Sequence, residues 1–400
     1  MENKENNKFQ GSIFDLFTSF IQGDRIIWLV VLVLFLFSML AVYSASGALA
    51  FKKVNGDITY YLTKQVGTTL MGIVLIFIAH KIDYKYYSRI AQILWIVSIP
   101  LLLYTMFWGT KINDASRWIR VPVIGFTFQT SDLAKLAVIM LLARILSLKQ
   151  EQIDDFKKTV LPLLVVVLIP FFMIAKDNLS TSIILFFTSV FIMFIGRVAI
   201  KHIALLFGVS GILIGLFVVL LFTLPDSMLL GRMSTWKKRI DTHFGVQSKE
   251  KIESYQETQA NIAIANGGIL PNGPGNSTQR NFLPEAYSDF IYAIIIEEYG
   301  LIGGIFIVFI YLLLLYRCIK IVVLAPKAFG ALLAVGLGAA LVLQAMINMA
   351  VAVGLFPVTG VTLPLVSMGG SSVFFTSIAL GIILSVSKSI NSKKEDSFAA

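Results

Sequence analysis

The segment NFLPEAYSDFIYAIIIEEYG, residues 281–300, joins an acidic, aromatic stretch directly to an apolar run. The run 290–296 is apolar enough to enter a bilayer. Glu285 and Asp289 precede it, and Glu297 and Glu298 follow it inside the same predicted helix. An ionised carboxylate at the centre of a membrane costs about 3 kcal/mol or more. The segment therefore predicts polar sites at one end of a membrane-spanning helix.

The composition is that of a polytopic membrane protein. Of the 400 residues, 57% are hydrophobic and only 14% are charged, whereas a soluble domain is about half apolar and a quarter charged. The net charge of +10 fits Lys and Arg in cytoplasmic loops and against anionic headgroups. No basic helix or aromatic–basic platform stands apart from the spans, so nucleic acid is not an expected partner.

Apolar runs predict an all-α polytopic fold of ten transmembrane helices. Each run approaches the roughly 20 residues that a spanning helix needs. The runs are 26–46, 65–82, 90–108, 132–148, 159–176, 180–196, 202–224, 287–316, 328–350 and 370–387. The second and fourth runs are short or interrupted by polar residues.

Charge predicts the orientation of these helices. Short loops on one side, together with both chain ends, carry most of the Lys and Arg, and such loops face the cytoplasm. We therefore expect a cytoplasmic tail over 1–25, a ten-helix domain over 26–387 and a second cytoplasmic tail over 388–400. Residues 1–25 contain no short apolar core followed by a small-residue cleavage site, so no signal peptide is predicted.

Three segments on the opposite side carry the unusual sequence. Residues 225–286, between the seventh and eighth helices, form a long extracytoplasmic loop, and 255–265 within it predicts a short amphipathic helix lying on the membrane surface. The second segment is GTKINDASRWIRVPVIGFTFQTSD, residues 109–132. The third, VGLFPVTGVTLPLVSMGGSS at 353–372, places prolines and glycines in apolar surroundings, which is tolerated at membrane depth only inside protein or beside a cavity. We expect the three segments to converge.

The four carboxylates have different expected roles. Asp289 could cap the N-terminus of the eighth helix, or act as a general base in a partly dehydrated cavity, where its pKa could approach working pH. Glu285 follows a proline and is expected at the polar rim. Glu297 and Glu298 are expected to form a structural ion pair or hydrogen-bond network with another span.

The basic side chains of the predicted outer segments also have two possible roles. Arg117 and Arg120 flank Trp118, so they could anchor the chain at the membrane interface, or they could hold phosphate in a bidentate manner. Lys237, Lys238 and Arg239 could likewise contact lipid headgroups or bind an anion.

Several other chemistries are not expected. His80, His202 and His243 are isolated and have no zinc-site spacing. The Ser371 hydroxyl in GGSS has no histidine nearby in sequence, and glycines there permit close backbone approach. The single cysteine, Cys318, cannot form an internal disulfide.

Taken together, four segments resemble the signature of the SEDS family (shape, elongation, division and sporulation). LPEAYSDFIYA followed by EEYG is similar to its LPEAHTDFIFA and EELG, and PVTGVTLPLVSMGGSS to PTTGLPLPFISYGGSS. SRWIRVPVIGFTFQTSDLAK resembles RRWI followed by FQPSE and K, and VYSAS at 42–46 matches the end of the first span. The resemblance runs nearly end to end.

The resemblance implies a peptidoglycan glycosyltransferase that polymerises lipid II into glycan strands, by inversion, in the bacterial cytoplasmic membrane. The implied partners are lipid II and undecaprenyl-pyrophosphate-linked glycan, a class B penicillin-binding transpeptidase and other divisome membrane proteins. The family's catalytic aspartate falls on Asp289. The expected substrate-binding residues are Arg117, Glu285, Lys237, Arg239 and Ser371. No resident metal site is predicted, and Mg²⁺ or Mn²⁺ is a candidate for offsetting the pyrophosphate charge.

Other details divide the family. GPGNS at 273–277 is closer to the division members, which act at the septum, than to the elongation members. The chain departs from the pattern at QTSD, AKDNLST, Tyr287, Ser288 and Met368, and Thr359 stands where some division members have lysine. A lipid II flippase or a scaffold that only recruits the transpeptidase are the rival functions.

Overall fold

The computed structural model describes residues 22–112, 115–120, 127–224, 233–237 and 251–399. Most of the predicted N-terminal tail and part of the long loop 225–286 therefore lie outside the described residues. The helices are α1 Arg25–Ala45, α2 Gly47–Lys53, α3 Ile58–Lys81, α4 Tyr84–Trp108, α5 Thr130–Leu148, α6 Leu161–Ala175, α7 Leu179–Ile195, α8 Ile200–Thr223, α9 Lys251–Gly267, α10 Ile291–Leu324, α11 Ala328–Ala352 and α12 Gly370–Ala399. A short π-helical turn, Phe156–Val160, leads into α6.

A helical polytopic fold is confirmed. Within the described ranges, eight helices are long and apolar enough to cross a membrane. They are α1, α3, α4, the segment Phe156–Ala175, α8, α10, α11 and α12. The other two predicted spans also form helices, but α5 carries three charged residues and α7 has only 17 residues. Ten membrane crossings therefore remain a prediction.

The helices α11 and α12 form the centre of the bundle. The first packs against α5, α7 and α10, and the second lies along α3. Gly381 permits this approach, because a Cβ added there would come within 2.6 Å of the Ile76 carbonyl oxygen. The helix α8 is peripheral, since only Ile203 and Leu221 on it are buried.

The second outer segment forms a small sheet that the sequence analysis did not predict. Its antiparallel strands are β1 Thr110–Ile112, β2 Ala115–Arg120 and β3 Thr127–Gln129, in the order β1-β2-β3. Trp118 pairs with Gln129, and Arg120 pairs with Thr127. The segment is too short and too polar to cross a membrane, and strand pairing satisfies its backbone groups between α4 and α5.

The helix α10 is broken at Gly300, whose backbone is left-handed (φ +67°). A Cβ at this position would be 2.6 Å from the carbonyl oxygen of Ile269, so the loop after α9 packs into the break. The Leu301 amide donates to Gly268 (3.0 Å), and the Gly273 amide donates to Glu298 (2.9 Å). These bonds replace hydrogen bonds that the helix loses at the kink.

The predicted amphipathic helix exists as α9, and its position on the membrane surface stays a prediction. Ala260 and Ala263 on α9 are buried, and the helix packs against α10. Small residues on this face allow the two helices to approach closely.

The polar segments lie at the two ends of the bundle. Arg25 and Ile390 line one cavity, so the start of α1 and the latter part of α12 lie at the same end. Asp24 pairs with Arg317 there. The predicted extracytoplasmic segments meet at the other end, where they form the candidate site.

Candidate active site

Asp289 lies immediately before α10 without occupying its cap position. The helix begins at Ile291, and its N-cap residue is Phe290, which makes no side-chain cap hydrogen bond. The Ser288 hydroxyl donates to Asp289 Oδ1 at 3.0 Å. The side chain of Asp289 is half-buried. Asp289 thus lies one residue before the N-cap, and its role as a base stays a prediction.

A tight turn at Glu285 sets the position of Asp289. The Glu285 carbonyl oxygen accepts hydrogen bonds from the amides of Ser288 (3.0 Å) and Phe290 (3.4 Å). Glu285 itself has a left-handed backbone, with φ of +56°. A non-glycine residue in this region costs of order 1–3 kcal/mol, and such residues cluster at functional sites. Glu285 therefore shapes the turn as well as adding charge at the rim.

The loop 353–369 is bound directly to this turn. The amide of Met368 donates to the Tyr287 carbonyl (3.0 Å), and the Ser367 hydroxyl donates to the Ser288 carbonyl (2.6 Å). From below, the Asn348 side-chain amide donates to the carbonyl oxygens of Asp289 (2.8 Å) and Val361 (2.7 Å). Asn348 is buried on α11, so one central helix holds both loops.

The small sheet brings Arg117 to the same place. Its Nε and Nη2 donate to the carbonyl oxygen of Asp177, at 3.0 and 2.6 Å, and this fixes the guanidinium plane. At Gly360, an added Cβ would lie 3.6 Å from Asp289 Oδ2 and 3.9 Å from Arg117 Nη1. The second and third outer segments thus meet beside the start of α10, at one glycine that has a carboxylate and a guanidinium beside it.

Tyr287 reports the electrostatics of the site. Burial raises the pKa of its phenol well above the ordinary value, and the Glu285 charge, its hydrogen bond and the Asp289 charge add to the rise. Tyr287 therefore remains a neutral hydroxyl at any working pH. Glu285 and Asp289 both lie close enough to Tyr287 to add to this rise.

A chain of polar side chains supports the loop from inside the bundle. Lys135 pairs with Asp132 at 2.9 Å and donates to Gln344 Oε1 at 3.0 Å. The Gln344 amide in turn donates to the Thr362 carbonyl at 3.0 Å. Asp132 and Lys135 belong to the QTSDLAK stretch, so this motif supplies a buried ion pair. Its Lys135 also binds Gln344 on α11, and Gln344 in turn binds the loop at Thr362.

The other expected substrate-binding residues are placed less directly. The Ser371 side chain is fully buried, and its hydroxyl accepts from the Gln129 amide at 3.2 Å. Lys237 lies next to α8, since the neighbouring Trp236 ring contacts Phe217 at 5.7 Å. Arg239 lies outside the described residues. The roles predicted for these three residues stay predictions.

Glu297 and Glu298 form the structural network that was expected of them. Both side chains are buried. The Glu297 carboxylate accepts from Ser277, from both the amide and the hydroxyl of Thr278, and from the Gln279 amide. Glu298 accepts from Ser44 at the end of α1, and the same hydroxyl is 3.0 Å from Arg280 Nη1. These two carboxylates hold the loop after α9 against α10, away from Asp289.

Sequence reasoning missed four residues that build the site. They are Gln344, Asn348, Gly360 and Ser367. A signal for two of them was present: Gln344 and Asn348 are amides four residues apart in an apolar helix, so they share one face. The described residues contain no group of three or more His, Cys, Asp or Glu side chains able to hold a metal ion.

The chain is similar to a known protein family and to named proteins. The family model described as "Cell cycle protein", FtsW/RodA/SpoVE, matches residues 24–392. A protein of Geobacter sulfurreducens named "Probable peptidoglycan glycosyltransferase FtsW" is 33% identical over 375 residues, which cover 91% of this chain and 95% of that protein. Stage V sporulation protein E of Bacillus subtilis is 33% identical over 371 residues, covering 91% and 97%.

Solved structures share the fold. A chain from work described as "Structural coordination of polymerization and crosslinking by a peptidoglycan synthase complex" superposes with a TM-score of 0.70 at 22% identity, covering 92% of this chain and 98% of that chain. The rod shape determining protein RodA of Thermus thermophilus gives a TM-score of 0.65 at 23% identity, with the same coverage. With the family model matched over nearly the whole length, the chain belongs to the FtsW/RodA/SpoVE family, the SEDS family of the sequence motifs.

Proposed function

We propose that this protein is a peptidoglycan glycosyltransferase that polymerises lipid II by inversion. Membership of the family and relatives named as peptidoglycan glycosyltransferases support the reaction. The single observation that carries the proposal is the juxtaposition at Gly360, where Asp289 Oδ2 and Arg117 Nη1 flank one point. A base and a phosphate-binding cation are the two groups that transfer of a sugar from a lipid pyrophosphate needs.

In the proposed reaction, Asp289 acts as the general base. An acceptor sugar hydroxyl loses its proton to the Asp289 carboxylate as its oxygen attacks the anomeric carbon of the donor sugar. The bond from that carbon to the pyrophosphate oxygen breaks on the opposite face, which inverts the configuration. A positioned base of this kind contributes typically 10²- to 10⁴-fold.

The departing pyrophosphate is assigned to Arg117. Two of its donors are held on Asp177, so the guanidinium is oriented before substrate arrives. Preorganised cations stabilise charge that develops in the transition state. Lys237 and Arg239 are proposed as further anion contacts, and a divalent cation carried on the pyrophosphate is proposed as an additional one. Mg²⁺ is commonly bound through one or two carboxylates together with substrate phosphates.

The proposed orientation places both chain ends in the cytoplasm and the site outside. Lipid tails then remain in the membrane while the sugars occupy the outer polar end. Cysteines introduced at Leu270, which is 72% exposed, and at the exposed Gln150 test the orientation. An impermeant thiol reagent added outside intact cells should label the first and not the second, and the opposite result would reverse the orientation.

The proposed setting is the division septum, with a class B penicillin-binding transpeptidase as partner. GPGNS and the relatives named FtsW favour a division role over elongation. Fluorescent tagging distinguishes the two roles. Recruitment to midcell during septation supports division, whereas dispersed patches on the lateral wall support elongation.

Reconstitution separates polymerisation from the rival functions. Purified protein with its transpeptidase partner, whose crosslinking is blocked, should convert lipid II into glycan chains. Lipid II translocation in proteoliposomes without any polymer would identify a flippase instead. Neither polymer nor translocation, with the transpeptidase still bound, would identify a scaffold.

A further inference from the structure

A second cavity, of about 400 Å³, lies at the end of the bundle opposite the candidate active site. It is enclosed by the turn between α3 and α4, by the start of α11 and by α12. The charged side chains that line it are Lys81, Asp83, Lys85, Lys327 and Lys388, and the titratable side chains of His80 and Tyr84 line it as well. Distant parts of the chain therefore bring four lysines and one aspartate to a single concave surface.

Among the described side chains that line this cavity, the four lysines outnumber the single carboxylate. Asp83 is already used twice, because it caps α4 through the Lys85 amide (3.0 Å) and pairs with Lys85 Nζ (3.3 Å). Lys327 is exposed, and Lys388 is half-buried. Lys81 Nζ stands over the Phe77 ring, 5.1 Å from its centroid. The lining thus favours an anion.

The start of α11 adds to this preference. Lys327 is the N-cap residue of this 25-residue helix, and it makes no side-chain cap hydrogen bond. The first backbone N–H groups of a helix attract anions, and the helix dipole acts in the same direction. Pro326, just before the cap, also lines the cavity. The N-terminus of α11 therefore places backbone N–H donors beside the same cavity as the charged lysines.

His80 supplies an independent observation. It is fully buried, yet it lines the cavity. Within the described residues, neither Nδ1 nor Nε2 forms a hydrogen bond of normal geometry, and the interaction of the ring with the Gln22 main chain is a minor one. Leaving a buried polar group without a partner costs about 1–3 kcal/mol. A phosphoryl oxygen in the cavity would give the imidazole an acceptor.

We propose that this cavity binds the phosphodiester headgroup of an anionic membrane lipid. The cavity lies at the ends of membrane-spanning helices, where lipid phosphates lie, and basic pockets between such helices bind anionic headgroups. Ile82 on its wall is an exposed apolar side chain against which an acyl chain can lie, and Val323, four residues before Lys327 in the sequence, is another. A free phosphate would gain the same ionic contacts without this apolar contact.

Lipid binding to the purified full chain tests the proposal. Native mass spectrometry in neutral detergent would compare phosphatidylglycerol with phosphatidylcholine of the same acyl chains, and inorganic phosphate would be titrated separately. We expect retention of phosphatidylglycerol only. The double variant Lys327→Ala, Lys388→Ala should bind it about thirty-fold more weakly, since each lysine near a lipid headgroup contributes about five-fold.

Matched variants make each outcome decisive. Lys201→Ala removes an exposed lysine of α8 that does not line the cavity, and it should change affinity by less than about two-fold. Lys327→Arg with Lys388→Arg keeps the charges, so it should retain most of the binding and controls for folding. Equal retention of the two lipids, or unchanged affinity in the double alanine variant, would overturn the proposal. Inorganic phosphate binding as tightly as the lipid would assign the cavity to a soluble anion instead.

Discussion

The side-chain amide of Asn348 donates a 2.8 Å hydrogen bond to the main-chain carbonyl of Asp289. The same nitrogen donates to Val361 at 2.7 Å. One buried amide on the central helix α11 thus ties the proposed base to the loop that contains Gly360. The relationship explains how a residue outside any regular helix is held in place.

Asn348→Leu is expected to lower kcat of glycan polymerisation by about ten-fold or more, with KM changed by less than about two-fold. Leucine has a similar size but cannot donate, so Asp289 is displaced while the substrate contacts remain. Gln344→Leu is the matched control, because Gln344 lies one turn away and binds Thr362 instead of Asp289. It should destabilise the protein similarly, by about 1–3 kcal/mol, with a smaller effect on kcat. Equal kcat in the two variants would contradict a positioning role for Asn348.

Gly360→Ala is expected to reduce polymerisation by about ten-fold or more per folded molecule. The added methyl would occupy the space between Asp289 and Arg117, which a substrate must enter. Gly354→Ala is its control, since Gly354 has a similar left-handed backbone (φ +74°) and its nearest contact is Asn261. Both substitutions cost about 1–2 kcal/mol of backbone strain. If both variants kept full specific activity, Gly360 would not border the substrate site.

Arg117→Lys is expected to raise KM for lipid II by about ten-fold or more, because lysine cannot bind Asp177 and a phosphate with one rigid fork. A charge-assisted contact of this kind contributes about 1.5–3 kcal/mol. Arg120→Lys serves for comparison: three residues further along β2, it points to the opposite face and is exposed. Kinetics of the two variants should differ clearly. An unchanged KM in Arg117→Lys would favour the interfacial-anchor role.

Glu297→Gln is expected to destabilise the protein by about 1.5–3 kcal/mol while the folded fraction keeps its specific activity. The carboxylate accepts several hydrogen bonds from residues 277–279. The side-chain NH₂ group of a glutamine cannot accept, so it would face some of these donors without forming a hydrogen bond. Thermal unfolding in detergent, with activity normalised to folded protein, measures both effects. Lost activity with unchanged thermal stability would instead place Glu297 in the chemistry.

Helix positions and the family were accessible from the sequence, because long apolar runs and four motifs identify them locally. The contacts at the site were not. Arg117 reaches Gly360 only because a small sheet, which has no strong local pattern, is held against Asp177. The break at Gly300 likewise depends on a loop that returns from α9 to replace helical hydrogen bonds. Such long-range pairing leaves no periodicity in the chain.

The fold also changed how two predictions are understood. The acidic pair Glu297 and Glu298 is explained once their partners at 277–279 and Ser44 are known. The helix α9 has the composition of a surface helix, yet its small residues pack on α10. The composition of this segment therefore predicts a helix, but it does not predict that the helix packs against α10.

The most direct test of the account is glycan chain formation by Asp289→Asn, purified with its transpeptidase partner while crosslinking is blocked. Asparagine keeps the size and most of the hydrogen bonding but cannot accept the proton, so polymerisation should fall by roughly 10²-fold or more. Folding and membrane insertion should be unchanged. Asp57→Asn is the control, since Asp57 is an exposed aspartate that caps α3 through Thr59, and it should retain activity. Polymer formed by Asp289→Asn at near the wild-type rate would contradict the assignment of Asp289 as the general base.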